Sequence, residues 1–205
     1  MISIKTAVFG ALENNCYLLT DENSGKSALI DCTESSAKMH EFIKGAKLEY
    51  ILLTHGHYDH IGGVADIKEL TGAKVVISKE DEHMLSSSRG SLAAFCGVSQ
   101  KNSAADIVVS DKDIITLGET EIKVMSTPGH TKGSVCYICG DVMFSGDTLF
   151  FCSYGRTDFP GGDSREMMQS LKKIADIKEN LTVYPGHDRQ TTLDFERANN
   201  PYINR

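Results

Sequence analysis

Apolar residues recur at every second position in some stretches of the chain and every third or fourth in others, and these two periods mark strands and helices. Ile2–Phe9 reads as a strand, as do residues 16–19 and 27–30. The last two are parted by the turn-rich run Asp21-Glu22-Asn23-Ser24-Gly25. Met39, Phe42, Ile43 and Ala46 follow the i, i+3, i+4, i+7 spacing of one helix face. Residues 49–53 form a short buried strand, 63–70 a helix and 74–77 another strand. Ser78, with Asp81 three residues on, predicts the N-cap of a further short helix. Residues 86–105 are rich in Ser, Gly and Ala, follow neither period, and read as a surface loop or a flap.

Beyond Asp106 the pattern turns to strands: Ile107–Val109, Ile114–Leu117, 121–125, 134–139 and 142–145. Asp163 and Glu166 make a capping pair for a helix bearing Met167, Leu171 and Ile174. A last strand is expected at 181–184 and a last helix at 191–198. Strands cluster in both halves, helices intervene, and no Pro/Gly/Ser linker divides the chain. The expectation is one α+β domain over residues 1–205, with two packed sheets and the helices outside.

Composition narrows the classes. A chain of 205 residues can bury a substantial core, and 40% hydrophobic with 24% charged residues is ordinary for a soluble globular protein. The net charge of -7 argues against a nucleic-acid backbone as partner. The run Ala7-Val8-Phe9-Gly10-Ala11-Leu12 is too short for a secretory signal, and no stretch approaches a membrane span. The six cysteines are scattered, which suggests reduced, mostly buried thiols and a cytoplasmic location. The partner expected is a small-molecule substrate, with neither nucleic acid nor membrane, and the sequence is compatible with a homo-oligomer.

One segment carries chemistry that packing does not explain. Thr54-His55-Gly56-His57-Tyr58-Asp59-His60 follows the apolar run Tyr50-Ile51-Leu52-Leu53 and gathers three imidazoles and a carboxylate where a strand ends. These groups bind zinc, iron and manganese. Two more histidines share a Pro-Gly-His context after predicted strands, His130 in Thr127-Pro128-Gly129-His130 and His187 in Tyr184-Pro185-Gly186-His187. Asp147 follows Ser145-Gly146 in a similar turn, and small neighbours let the backbone approach a metal closely. A lone histidine in such a place is more often a surface or satisfied residue, but the repeated context favours a ligand. His40 and His83 lie among charged residues on predicted helices and read as solvated. Cys136 and Cys139 sit in a predicted strand, where a spacing of three puts them on opposite faces. Core packing is therefore favoured over redox or zinc chemistry.

As a set, these motifs resemble the metallo-β-lactamase superfamily over nearly the whole chain. His-x-His-x-Asp-His is complete at His55, His57, Asp59 and His60, and His130, Asp147 and His187 follow in the family's order. Asn15-Cys16-Tyr17 and Leu29-Ile30-Asp31 also look like family features. Gly155-Arg156-Thr157-Asp158-Phe159-Pro160-Gly161-Gly162-Asp163 is most similar to the glyoxalase II-like (hydroxyacylglutathione hydrolase-like) branch. The resemblance implies an αββα sandwich with two divalent metal ions, zinc before iron or manganese, at one edge between the sheets. His55, His57 and His130 would hold the first ion, Asp59, His60 and His187 the second, and Asp147 would bridge them. Asp31 would orient a ligand histidine from behind, against the plainer reading of a turn aspartate, and Asp59 would also pass the proton of the attacking water.

The implied reaction is hydrolysis of a thioester such as an S-acylglutathione. Glyoxalase II proper carries a helical C-terminal domain that helps hold glutathione, and this chain stops soon after His187, so that domain is not expected. Arg156 is the substrate-binding candidate, through its guanidinium and a substrate carboxylate, against a structural pairing with Asp158 or Asp163. The main alternative is a persulfide dioxygenase-like oxidoreductase of the same fold, with a single iron on His55, His130 and Asp147. A nuclease or a non-catalytic metal-binding module fits the charge and the complete ligand set less well.

Overall fold

A computed structural model describes residues 1–203. Its elements run, in chain order, β1 (Ile2–Phe9), β2 (Asn14–Asp21), β3 (Lys26–Ile30), α1 (Ala37–Phe42), β4 (Lys47–Leu52), α2 (Tyr58–Ile61), α3 (Val64–Thr71), β5 (Lys74–Ser78), a 3-10 helix (Glu82–Ser86), β6 (Ile107–Val109), β7 (Ile114–Leu117), β8 (Thr120–Ser126), β9 (Val135–Cys139), β10 (Val142–Gly146), β11 (Leu149–Phe150), β12 (Ser153–Tyr154), α4 (Ser164–Ala175), β13 (Thr182–Pro185), β14 (Thr191–Thr192) and α5 (Leu193–Asn199). Two six-stranded sheets result, ordered β1-β2-β3-β4-β5-β6 and β14-β13-β10-β9-β8-β7. Both are mixed: β3 to β6 run parallel, as do β10 and β13, and the remaining pairings are antiparallel.

Strand alternation sorts the apolar residues into three layers. Ile30, Leu52 and Val76 face Val124, Tyr137 and Phe144 between the sheets. Their neighbours in sequence, Leu29, Ile51, Leu53, Val75 and Ile77, turn the other way onto Met39, Val64 and Ile67 of α1 and α3. In the second sheet Cys136, Met143 and Val183 point outward onto Met167, Leu171 and Ile174 of α4 and Leu193 of α5. Period two in buried strands thus serves both faces of each sheet and gives the expected αββα sandwich. Cys136 lies in the outer layer and Cys139 in the central one, so the pair is divided by the sheet. Four of the six free cysteines are buried, while Cys96 is exposed and Cys152 half-buried. No helix among the described residues is long and apolar enough to cross a membrane.

Three local expectations are corrected. Ser78 ends β5, and Asp81 caps nothing with its side chain, although it sits at the N-cap of the 3-10 helix. Its carboxylate instead accepts from Gly56 N at 3.0 Å, Gly133 N at 2.9 Å and Thr131 Oγ1 at 2.7 Å. Asp59 and His60, expected only at the end of a strand, lie on the single turn of α2, which begins right after His57. The C-terminal helix starts at Leu193 rather than Thr191, because Thr191 and Thr192 first pair with β13 and Thr192 then caps α5 by accepting from Phe195 N. The Asp163 cap is as expected: it accepts from Arg165 N and Glu166 N at 2.7 and 3.0 Å, a contact worth about 1 kcal/mol. Residues 87–106 form neither helix nor strand, yet Ser91, Leu92 and Ala93 are buried. Tyr58 N bonds to Ser91 O at 2.8 Å, and Gln100 bonds to Met84 O at 2.7 Å, so this loop is fastened beside α2.

Candidate metal centre

The topology delivers the chemical residues to one edge. β3 and β4 run parallel, and Asp31 and Thr54-His55-Gly56-His57 follow their C-terminal ends. β8, β10 and β13 share a direction, and their ends lead to His130, Asp147 and His187. β2 runs against β3, so its first residue, Asn14, lies at the same edge. Clefts outside the carboxyl ends of parallel strands are common ligand sites, since the chain leaves the sheet there with free side chains.

Glycines make the approach possible. Gly146 has φ of +49°, and a Cβ there would meet Thr54 Oγ1 at 2.5 Å. A Cβ on Gly186 would collide with Asp147 Oδ1 and come within 2.8 Å of His60 Cε1. Larger residues would push His187 and Asp147 off the cluster.

All seven residues expected to meet do meet. Three groups have donor atoms mutually within 4.8 Å: His55, His57 and His130; His55, His60 and Asp147; and Asp59, His60 and His187. Asp147 is central. Its Oδ1 is 3.4 Å from His60 Nε2, and its Oδ2 lies 3.4 Å from His130 Nε2 and 3.5 Å from His187 Nε2. Asp59 Oδ2 is 3.5 Å from both His60 Nε2 and His187 Nε2.

Outer contacts aim the rings. Four histidines tie Nδ1 away from the cluster: His55 to Thr54 Oγ1 at 3.1 Å, His60 to Asp31 Oδ2 at 2.8 Å, His130 to Arg156 O at 2.7 Å and His187 to Leu12 O at 2.9 Å. Each Nδ1–H donates outward, so Nε2 is the ring atom that faces in and, wherever the ring is neutral, its lone pair is free for a metal. His57 presents Nδ1 instead, 2.8 Å from His130 Nε2. His55 Nε2 and Asp147 Oδ1 are buried without a hydrogen-bond partner. Such orphaned acceptors are costly in a dry site unless a cation claims them. Five imidazoles and two carboxylates therefore fit one or two divalent ions, and the donor types suit zinc, iron or manganese alike.

Burial pushes the His55 imidazole well below its ordinary pKa, helped by charge on neighbouring rings, and brings His57 down to about 3. Burial acts the same way on His60, but Asp147, Asp31 and Asp59 outweigh it and raise its pKa well above the ordinary value. Burial would raise Asp59 and Asp147, yet the imidazoles, His60 foremost, hold Asp59 well below the usual carboxylate range and Asp147 at about 2. A metal-free cluster thus gathers positive charge on His60, between three carboxylates, and on His187, whose pKa is raised against burial by Asp59 and Asp147.

Asp31 sits behind His60, accepting also from Thr54 N at 2.8 Å, and has φ of +56°, an uncommon conformation for a side-chain-bearing residue. His40 and His83 are exposed, far in role from the cluster. Arg156 lines the pocket over the centre, but its guanidinium makes a two-pronged pair with Asp158, both contacts 2.7 Å, and lies 3.9 Å from the Phe159 ring centroid. Four further residues have roles in the site that were not foreseen. Asn14, fully buried, donates to Asp59 Oδ2 at 2.9 Å and lies 3.1 Å from His60 Nε2. Asp81 clamps the backbones beside His55, His57 and His130 together. Asn15 Nδ2 and Tyr17 Oη hold Pro185 O at 3.0 and 2.6 Å and so anchor the His187 turn.

A four-layer sandwich with such a His/Asp cluster at its strand ends is an architecture found mostly in metal-dependent hydrolases. Residues 9–187 match the metallo-beta-lactamase superfamily, and the chain belongs to it. It is 30% identical to the hydroxyacylglutathione hydrolase GloC of Haemophilus influenzae over 95% of this chain and 94% of that protein. Among solved structures, the B3 metallo-beta-lactamase BLEG-1 superposes with a TM-score of 0.92 at 30% identity, over 99% of this chain and 100% of the other. TTHA1623 in a di-iron-bound form superposes with a TM-score of 0.85 at 29% identity, over 97% and 99% of the two chains.

Proposed function

We propose that this protein hydrolyses thioesters with two divalent metal ions, zinc before iron or manganese. The observation that carries the reading is the set of four outward-tied Nδ1 atoms, which leaves Nε2 atoms facing in around a shared Asp147. His55, His57 and His130 would hold one ion, Asp59, His60 and His187 the other, with Asp147 between them. The similarity to GloC supports the thioester class, and the di-iron form of TTHA1623 supports two ions while leaving the metal open.

When bound, such ions supply Lewis acidity and a water acidified toward neutrality. The chain's own residues do the rest. Asp59 reaches both the cluster and the pocket, and its Oδ2 accepts the proton of the attacking water. Asn14 Nδ2 holds that oxygen in place. His60 is steadied by Asp31, His130 by Arg156 O and His187 by Leu12 O, so that the nucleophile's position does not drift as charge develops. The thiol of a substrate has a pKa of about 8.5 and leaves as thiolate without an obligatory acid.

The test is purification without added metal, elemental analysis, and assay against S-acylglutathiones, other thioesters and a β-lactam. Two equivalents of metal with thioester turnover are expected. A single iron with oxygen uptake on glutathione persulfide would replace this reading by the oxidoreductase, and turnover of the β-lactam alone would replace it by a lactamase.

A further inference from the structure

The pocket above the centre has a volume of about 570 Å³ and is bounded by Leu12, Tyr58, Leu92, Phe150, Tyr154 and Phe159. Two of these rings stand against candidate ligands, one on each side of the centre. Phe159 meets His57 edge-on, with centroids 6.0 Å apart, and Phe150 meets His187 at 6.0 Å in the same manner. Tyr154 is braced from behind by Tyr202, with centroids at 4.6 Å. Leu92 is buried in the fastened loop, although its φ is +71°, so its side chain is held at the pocket at some backbone cost.

The pocket is also poor in charge for an anion. Arg156 is the one arginine or lysine among the described residues that line it, and Asp158 already neutralises that guanidinium with two contacts while Phe159 stacks beneath it. The other carboxylates and imidazoles lining it, Asp59, Asp147, His57, His130 and His187, are the candidate metal ligands. Apart from ions held at the centre, a peptide-like thiol carrier with free carboxylates finds no unpaired cation among the described residues that line the pocket. An apolar group finds aromatic walls on both sides of the reacting centre, and a short hydroxylated acyl group such as lactoyl would leave most of the space unfilled.

We infer that the pocket selects the acyl half of its substrate, and that the substrates are thioesters of bulky, apolar acyl groups, whose carrier thiol contributes little to recognition. The inference rests on the hydrolase reading above and deepens it. The reaction is the balanced one: water adds to the carbonyl carbon, the C–S bond breaks, and a carboxylic acid and a thiol are released.

The experiment compares acetyl, lactoyl, hexanoyl and benzoyl thioesters, each on glutathione and on uncharged N-acetylcysteamine, with the metal-loaded protein. A well-filled methylene is worth about tenfold or more in discrimination. Hexanoyl and benzoyl are therefore expected to exceed acetyl and lactoyl in kcat/KM by about tenfold or more, while the two carriers agree within about threefold. In Phe159→Ala the hexanoyl-to-acetyl ratio should fall toward one. A flat acyl series, a preference for lactoyl, or a carrier effect larger than the acyl effect would overturn the inference and leave the hydrolase reading standing. Absence of turnover on every thioester would instead sink the hydrolase reading. In that event calorimetry with hexanoate against acetate still tests the pocket: tighter binding of hexanoate supports the apolar site, and equal binding rejects it.

Discussion

The two halves of the candidate centre contrast in water and charge. His55, His57 and His130 are each no more than 3% exposed, and burial keeps the first two rings unprotonated. The pocket touches both halves, at His57 and His130 and at Asp59 and His187, but the second half is the wetter: the His187 side chain is 23% exposed and that of Asp59 12%, while His60 is fully buried. There His60 is driven toward its protonated form by Asp147, Asp31 and Asp59. The first half offers lone pairs ready for a cation. The second holds a proton where a cation would sit, and must release it first. The contrast predicts a tightly held ion on the dry side and a more weakly held, pH-dependent one on the wet side.

The strongest way to break the contrast is to remove what the halves share. Asp147→Ala takes an oxygen from both and leaves the Nε2 atoms of His60, His130 and His187 without their common partner. Both ions are expected to be lost and hydrolysis to fall by about a thousandfold or more. Elemental analysis alongside kcat decides it, and unchanged stoichiometry would reject Asp147 as the bridge.

Asp31→Asn should act mainly on one half, because Asp31 touches His60 directly and reaches His55 only through Thr54 Oγ1. Asparagine tolerates the positive φ at this position and keeps an oxygen for Thr54 N, but it cannot offer His60 Nδ1 an ionised acceptor. Loss of a carboxylate behind a ligand histidine costs about 10- to 100-fold in metal affinity. The weaker ion should show that loss and the tighter ion should not, in a competition titration with a chelator. Equal weakening of both would mean that Asp31 supports the loop as a whole rather than one ring.

How much of this was legible beforehand follows from the range over which each signal acts. His55, His57, Asp59 and His60 form a local motif, so spacing alone exposed them, and the Pro-Gly-His turns flagged His130 and His187. The layers followed from period-two alternation, which is local as well. Asp81 misled because an aspartate before a short helix looks the same whether its carboxylate serves that helix or, as here, the backbones of Gly56 and Gly133. α2 is four residues long and too short to show a helical period. Arg156 had two readings, and distance was needed to find it paired with Asp158 while still lining the pocket. Asn14 was invisible because its position depends on the pairing of β2 with β1 and β3, a long-range property. In sequence it resembles any hairpin asparagine.

The pH offers a milder probe. The pKa of His60 is raised in the metal-free protein, so at neutral pH the wet half carries a proton that an entering ion displaces. Affinity there should therefore rise with pH, by about tenfold per unit while His60 stays protonated, and level off above its pKa. His55 and His57 have lowered values and carry no such proton in this range, so the dry half should change little. Metal titrations at pH 6, 7 and 8 would show one slope or two. Identical slopes would erase the distinction between the halves.

The smallest effect expected is also the most discriminating, because it concerns the residue that sequence did not reveal. Asn14 is fully buried at the start of β2, and its Nδ2 is 2.9 Å from the Asp59 oxygen that faces His60 and His187. One hydrogen bond to a charged group is worth about 1.5 kcal/mol, close to tenfold in an equilibrium. Asn14→Ala removes the donor and opens a small void, whereas Asn14→Leu removes the donor but keeps most of the volume. If Asn14 positions Asp59 through the hydrogen bond, both variants lose about tenfold in affinity for the wet-side ion and neither alters the dry-side one. If it acts by filling space, the leucine variant retains the affinity that the alanine variant loses. Retention in Asn14→Leu would remove Asn14 from the positioning of Asp59. Loss in both would show that the wet half depends on a strand-end amide as well as on its own three side chains.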